Sequence, residues 1–473
     1  MLKKLTALLL AVLMLFSLFS CKKDGDGDAE TGDEDTASES QEINALPVIE
    51  TENFSVSVSM LTYFFNSYYR SFVSQNESNL EAMGLDPTTE LTKQIYSGDY
   101  TWFDYFSFTI ADSVTRQVLL AEAAKEDGYE LTDGDREYID GEIEKINTAA
   151  ANSGNSGYYV IRDNYGECVN ELTVRKCLEL TRYSKYYSDK LASSYNFTDE
   201  EINTYFEQNK NSFLSFNYIR YQISDCDTEA VSADFAACTT EDTFVAKIKE
   251  YASEALYDAD EDYMAELMDS CYVYGAAYNE SSSFAKWAFE DGRKAYDSYI
   301  STTEEGTVLV AMALPASYEG YNGSQVLYKD LTPLHNITSI EFSVEKYGTA
   351  KDAKVKAQEV YDTIVGGTDF DSTLKAFEGG TSSNLIRGNI PDEIEDWVFD
   401  DARYEGEIGL VTVANSSSYI IRMEADGIAV WNYYVSDSMN TAAYAADIEA
   451  LEQKYTPSYN NDGFKEITTV TID

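Results

Sequence analysis

One histidine, His335, serves the whole 473-residue chain, and beyond position 21 there are five cysteines: Cys168, Cys177, Cys226, Cys238 and Cys271. These types and spacings exclude much. A single imidazole and scattered thiols supply neither a nucleophile–base–acid triad nor a zinc site, and no Gly-rich phosphate loop accompanies them. With an odd count and no Cys-x-x-Cys spacing there is no disulfide framework, although Cys168–Cys177 and Cys226–Cys238 are near enough in sequence to pair. Asp24-Gly25-Asp26-Gly27-Asp28 has the alternating carboxylates of a calcium loop. Ala29 stands where the sixth position needs glycine, so a solvated linker is the expectation. No metal and no cofactor are expected. What remains is an apolar constellation in residues 379–423. There Gly379-Gly380 leads through Arg387-Gly388-Asn389-Ile390-Pro391 to Ile394, Trp397, Val398 and Phe399, then through Gly406-Glu407-Ile408 to the strand-like Tyr419-Ile420-Ile421-Arg422-Met423. Apolar residues at this spacing serve as core or as the wall of a pocket.

The order of these pieces resembles the second half of a parvulin-type peptidyl-prolyl isomerase domain: a glycine pair, a Gly-x-apolar-Pro step, a helix ending in Phe, a Gly-Glu-Ile turn and an apolar final strand. Upstream, Ile337–Val344 reads as the domain's first strand and Lys351–Ile364 as its first long helix. Prolyl isomerisation needs no covalent step. The amide must rotate over a barrier of about 20 kcal/mol, and a catalyst lowers it by desolvating the prolyl ring and favouring the twisted amide. The resemblance implies that Ile390, Ile394 and Phe399 line the substrate pocket.

It also implies two histidines beneath that pocket, and here the chain departs from the pattern. Ser339 falls at the first-strand position and Tyr419 at the last-strand position. The segment that supplies a Cys or Asp is shortened and leaves Glu378. Ser339, Tyr419 and Glu378 are therefore the candidate catalytic positions, all degenerate. His335 lies four residues from Ser339, about 13 Å at strand rise, too far to substitute in register; after Pro333 it reads as a loop residue. Isomerase activity is expected to be weak or lost.

The module occurs twice. Trp287-Ala288-Phe289-Glu290-Asp291-Gly292-Arg293 and Trp397-Val398-Phe399-Asp400-Asp401-Ala402-Arg403 recur 110 residues apart. Each copy is followed by a strand-like run, Val308–Leu314 or Tyr419–Met423, and preceded by a strand and a helix. Two copies indicate tandem domains. Arg293 and Arg403 are expected to pair with nearby carboxylates. Before the modules, Phe54, Val56 and Val58 alternate as a short strand, and Ser59 caps an aromatic-rich helix. Trp102–Lys125, Thr132–Ala150 and Asn170–Tyr195 read as further helices, and Thr198-x-x-Glu201 is a capping box. After the modules, Trp431–Val435 reads as extended, Asp437–Tyr455 as a helix and Ile467–Ile472 as a strand.

The N-terminus reads as an address. Lys3-Lys4 precedes an apolar run, Leu5–Phe19, and Leu18-Phe19-Ser20-Cys21 resembles a bacterial lipobox, which implies lipid modification of Cys21. The acidic, Gly- and Ser-rich segment that follows is a tether. A net charge of −50 argues against nucleic acid. The fold expected is α+β: a leader (1–20), an acidic tether (21–47), a mostly helical chaperone-like domain (48–212), two parvulin-like modules (213–330 and 331–430) and a C-terminal helix and strand (431–473). The helical block resembles that of PrsA/SurA-type foldases. By that resemblance the protein is an extracytoplasmic folding factor of a bacterial cell envelope, anchored to the membrane through Cys21, with extended segments of exported proteins as partners. The 38 tyrosines leave an alternative open, a surface lipoprotein that binds a nutrient, peptide or glycan.

Overall fold

A computed structural model describes residues 44–255, 261–316 and 323–472. The leader, Cys21 and nearly all of the tether lie outside the described residues. The protein is α+β, with helices and small antiparallel sheets. Its contacts divide it into two units, 44–196 with 440–472, and 197–439.

The first unit opens with strands β1 (Pro47–Glu50) and β2 (Ser55–Ser57), which lead into helix α1 (Val58–Gln75). The hairpin strands β3 (Ile95–Ser97) and β4 (Tyr100–Thr101) follow, then α2 (Trp102–Glu126), α3 (Asp133–Asn152), α4 (Gly157–Tyr165) and α5 (Glu171–Ser194). The cap of α1 is Ser57, not Ser59: the Ser57 hydroxyl accepts from the Met60 amide, and Val58 is already helical. Thr101 with Asp104 and Thr132 with Asp135 form reciprocal capping boxes at α2 and α3, each satisfying amides that the first helical turn leaves unpaired. The stripe of α1 buries Phe65, Tyr69 and Phe72 against Trp102 and Phe106 of α2 in a continuous ring cluster. Glu122 of α2, buried, accepts from the Thr51 hydroxyl at 2.7 Å and the Asn53 amide at 3.2 Å, and so ties the β1–β2 turn to the helix.

The C-terminal segment completes this unit. Ser458–Tyr459 pairs antiparallel with β1, Leu451 packs on Leu119 and Leu120, and Ile467 enters the core of α1, α2 and α5. Ile467–Ile472 forms no strand. Its backbone is bound instead by the buried Asn66 side chain, which donates to Thr468 O at 2.8 Å and accepts from Val470 N at 3.0 Å, and by Pro87 O, which accepts from Ile472 N at 3.0 Å. The five cysteines at 168, 177, 226, 238 and 271 are all free, so neither possible pairing forms.

The second unit begins with α6 (Asp199–Asn209), started by the Thr198–Glu201 capping box. A first sheet module follows: β5 (Ser215–Ile223), helices α7 (Thr228–Ala236), α8 (Glu241–Ala255) and α9 (Glu261–Cys271), β6 (Tyr272–Ala277), α10 (Ser283–Ala288), β7 (Ser298–Thr302) and β8 (Val308–Leu314). The second has the same order: β9 (His335–Phe342), α11 (Val344–Tyr347), α12 (Ala350–Val365), α13 (Phe370–Ala376), β10 (Gly380–Leu385), α14 (Asp392–Val398), β11 (Ile408–Thr412) and β12 (Ser418–Met423). Both sheets are antiparallel and four-stranded, ordered β6-β5-β8-β7 and β10-β9-β12-β11. One face of each packs on the helices after its first strand, the other on the short helix α10 or α14.

The likeness extends to single hydrogen bonds. Tyr296 N donates to Ala313 O at 2.7 Å and Gly406 N to Met423 O at 2.8 Å, with Tyr296 and Gly406 both left-handed. Asn217 of β5 accepts from Gly275 N at 3.0 Å, and Asn336 of β9 accepts from Asn384 N at 2.7 Å; Gly275 and Asn384 have φ of +66° and +55°. Arg293 lies over Trp287 and pairs with Glu290 and Asp297, while Arg403 lies over Trp397 and pairs with Asp400 and Glu407. Trp431–Val435 is helical, not extended, as part of the helix Val430–Tyr455. Trp431 and Val435, four residues apart on one face, pack on Ile202 and Phe206 of α6, and that burial outweighs their preference for strand.

Candidate functional site

The candidate residues gather on the α14 face of the second module's sheet. Along β9, Ile337, Ser339 and Glu341 share that face, alternating with Thr338, Ile340 and Phe342. Ser339 stands opposite Gly380 of β10 and Ile421 of β12, while Tyr419 stands opposite Glu341 and Val411. Ser339 and Tyr419 are thus diagonal neighbours, about 7 Å apart by strand geometry. The register leaves no room for a side chain at Gly379, where a Cβ would come within 2.5 Å of Ser339 O.

Tyr419 is engaged by Glu341, a residue that the sequence reading passed over. The Tyr419 hydroxyl donates to the Glu341 carboxylate at 3.0 Å, and the Ser417 hydroxyl donates to the same oxygen at 2.7 Å. Burial, with the Glu341 charge beside it, pushes the Tyr419 hydroxyl up from its ordinary value. The alternation Ile337-x-Ser339-x-Glu341 was the available signal. Glu378 stands apart: exposed, left-handed at φ +57°, and in no side-chain hydrogen bond among the described residues.

The apolar positions divide in two. Ile394 is buried with Val398 against Ile337, Val411, Ile421 and Met423, so it forms the floor that seats α14. Ile390 and Phe399 are half-buried at its margin and offer surface. Phe399 has cation-capable neighbours. Arg387 lies 4.5 Å from its ring and donates to its carbonyl at 3.1 Å, and the His335 ring lies 5.1 Å away. His335 is therefore the first residue of β9, paired with Leu385, and not a loop residue; Pro333, two positions earlier, ends the connection rather than extending it. Its Nδ1 lies 2.9 Å from Asp426 Oδ1.

In the first module, strand register puts Arg220, Gln222 and Leu309 where the second has Ser339, Glu341 and Tyr419. The Phe216–Phe289 contact, at 5.8 Å, replaces the contact of His335 with Phe399. Among the described residues, no group of three or more His, Cys, Asp or Glu side chains is placed to hold a metal ion. The second face can present a small apolar surface beside the Ser339 hydroxyl, which has no side-chain partner among the described residues. Its Tyr419–Glu341–Ser417 hydrogen bonds are already satisfied internally. Compared with known proteins, the chain matches no protein-family model, and no curated protein matches it.

Proposed function

We propose that the protein is a membrane-anchored, extracytoplasmic folding factor of the parvulin-related kind, whose helical unit and two sheet modules bind extended segments of exported proteins. The observation that carries this reading is the repeated module: two four-stranded sheets of identical strand order, each with helices after the first strand and a short helix capped by Phe289 or Phe399. A helical unit closed by its own C-terminal segment, with both modules in one insertion in its sequence, supports it further. Anchoring through Cys21 belongs to the same proposal. No described helix is long and apolar enough to cross a membrane.

In this reading the modules bind more than they catalyse. Stabilising a twisted amide requires donors aimed at it, and on the second face the tyrosine that replaces a histidine spends its proton on Glu341. A protease-coupled prolyl isomerisation assay tests this. A rate at the uncatalysed baseline is expected; turnover like that of an intact parvulin, abolished by Phe399→Ala, refutes it.

A specific feature favours ligand binding as the second reading. A hollow of about 330 Å3 in the first unit is lined by Gly157, Tyr158, Ile161, Asn170, Glu171 and Leu172, with the Arg162 guanidinium 5.3 Å from the Tyr158 ring. A thermal shift with a sugar or short-peptide panel, lost in Tyr158→Ala, would favour it.

A further inference from the structure

We infer that the β3–β4 hairpin of the first unit is a docking surface for extended polypeptide segments that carry both aromatic or aliphatic and basic side chains. The inference rests on the folding-factor reading and names a surface and a client chemistry for it. Ile95 is 60% exposed, Tyr96 47%, Tyr100 59% and Phe108 65%, an unusual concentration of large apolar side chains within fourteen positions of a soluble surface. Ring contacts hold the surface in place. Tyr96 lies 4.8 Å from the buried Trp102 and 4.5 Å from Tyr105, and Tyr100 meets Phe108 edge-on at 6.2 Å. The aromatics are thus already ordered, which lowers the entropic cost of binding on them. Among the described residues the two strands pair only with each other. Two-stranded ribbons are marginal alone, and a third strand added to an open edge is a recurring mode of peptide recognition.

Charge selects the occupant. Residues 77–116 hold seven acidic side chains and two basic ones. Both bases are neutralised within the stretch, Lys93 by Glu90 at 2.9 Å and Arg116 by Asp112 at 2.5 Å. Asp99 sits in the hairpin turn itself, between the exposed Tyr96 and Tyr100. A second copy of a chain with net charge −50 and an anionic bilayer are both repelled from such a surface, whereas a basic, apolar segment is attracted.

The test uses the whole chain and two unstructured fifteen-residue fluorescent peptides, alternating Leu and Phe with Lys or with Glu, read by anisotropy. The Lys peptide is expected to bind at least tenfold more tightly than the Glu peptide, with affinity falling as salt rises. The triple variant Ile95→Ser, Tyr100→Ser, Phe108→Ser is expected to weaken the Lys peptide at least tenfold. Asp99→Lys, which leaves the apolar surface intact, is expected to weaken it several-fold and separates lost binding from lost folding. Equal binding by wild type and both variants overturns the inference and leaves the folding-factor reading standing, since a client segment is still held elsewhere. No binding of either peptide, together with no suppression of aggregation by wild type, overturns both. A wild-type dimer or vesicle association abolished by the triple variant also overturns the inference, in favour of a second copy or a lipid surface.

Discussion

Asn66→Ala is the sharpest structural perturbation available. The Asn66 side chain is fully buried and makes three tertiary hydrogen bonds: to Tyr165 O at 2.8 Å, to Thr468 O at 2.8 Å, and from Val470 N at 3.0 Å. It thereby holds the C-terminal residues on α1 and the end of α4. Each bond contributes about 1 kcal/mol net, and the groups left behind are buried polar atoms whose desolvation is then uncompensated. Two of the three reach the C-terminal segment, so the expected loss for its opening is roughly 2–3 kcal/mol, about thirtyfold or more in its opening equilibrium. Hydrogen exchange read peptide by peptide should show protection at Val470 and in the Ile467–Ile472 region falling by that factor, while the β9–β12 sheet is unaffected. Limited proteolysis should cut first beyond Tyr459. Unchanged protection at Val470, or a loss below about 1 kcal/mol, would refute the claim that a single buried amide secures the segment.

Three further outcomes follow from named contacts. Gly409→Ala places a Cβ 2.3 Å from the Trp397 ring, so the second module should lose about 1–3 kcal/mol, with altered Trp397 fluorescence, whereas the first module, where Tyr299 stands at the equivalent position, should be unaffected. For Asp135, burial opposes ionisation, but hydrogen bonds from Thr132, Tyr129 and Arg182 outweigh it and hold the carboxyl well below its ordinary value. A depressed carboxylate stabilises the fold above its unfolded pKa of about 3.9 and loses that contribution as pH falls below it. Asp135→Asn should therefore cost about 3 kcal/mol near pH 7 and flatten the acid limb of the stability profile; a parallel profile would contradict the assignment. Asn336→Ala should strip the Asn384 amide of its acceptor and cost about 1–2 kcal/mol, and Asn217→Ala should do the same to Gly275 in the first module, both measured by urea unfolding.

The repeat was legible where its spacing is constant. Trp287 to Arg293 and Trp397 to Arg403 stand 110 residues apart, and so do β7 and β11, which is why the sequence displays the second half of each module. The first strands do not keep that interval: Asn217 and Asn336 are 119 apart, and only hydrogen-bond register identifies them as equivalents. The capping boxes at Thr132 and Thr198 were readable because their geometry is local. Trp431–Val435 and Ile467–Ile472 were misread because their conformation is fixed by distant partners, α6 for one and Asn66 for the other. The site was partly legible. Ile390, Ile394 and Phe399 do gather on one face, but the sequence could not distinguish Ile394 as floor from Ile390 and Phe399 as surface. Nor could it bring His335 to Phe399, which the packing of α14 on the sheet sets, or Glu341 to Tyr419, which strand pairing sets.

Holding unfolded polypeptide is the activity on which the folding-factor proposal rests. The direct measurement is light scattering from a chemically denatured, aggregation-prone client diluted into buffer with an equimolar amount of the whole protein. Scattering is expected to fall in proportion to the protein added, while prolyl isomerisation stays at its uncatalysed rate. Undiminished scattering across the titration, from a preparation whose melting temperature rises with a sugar or small peptide, would contradict it.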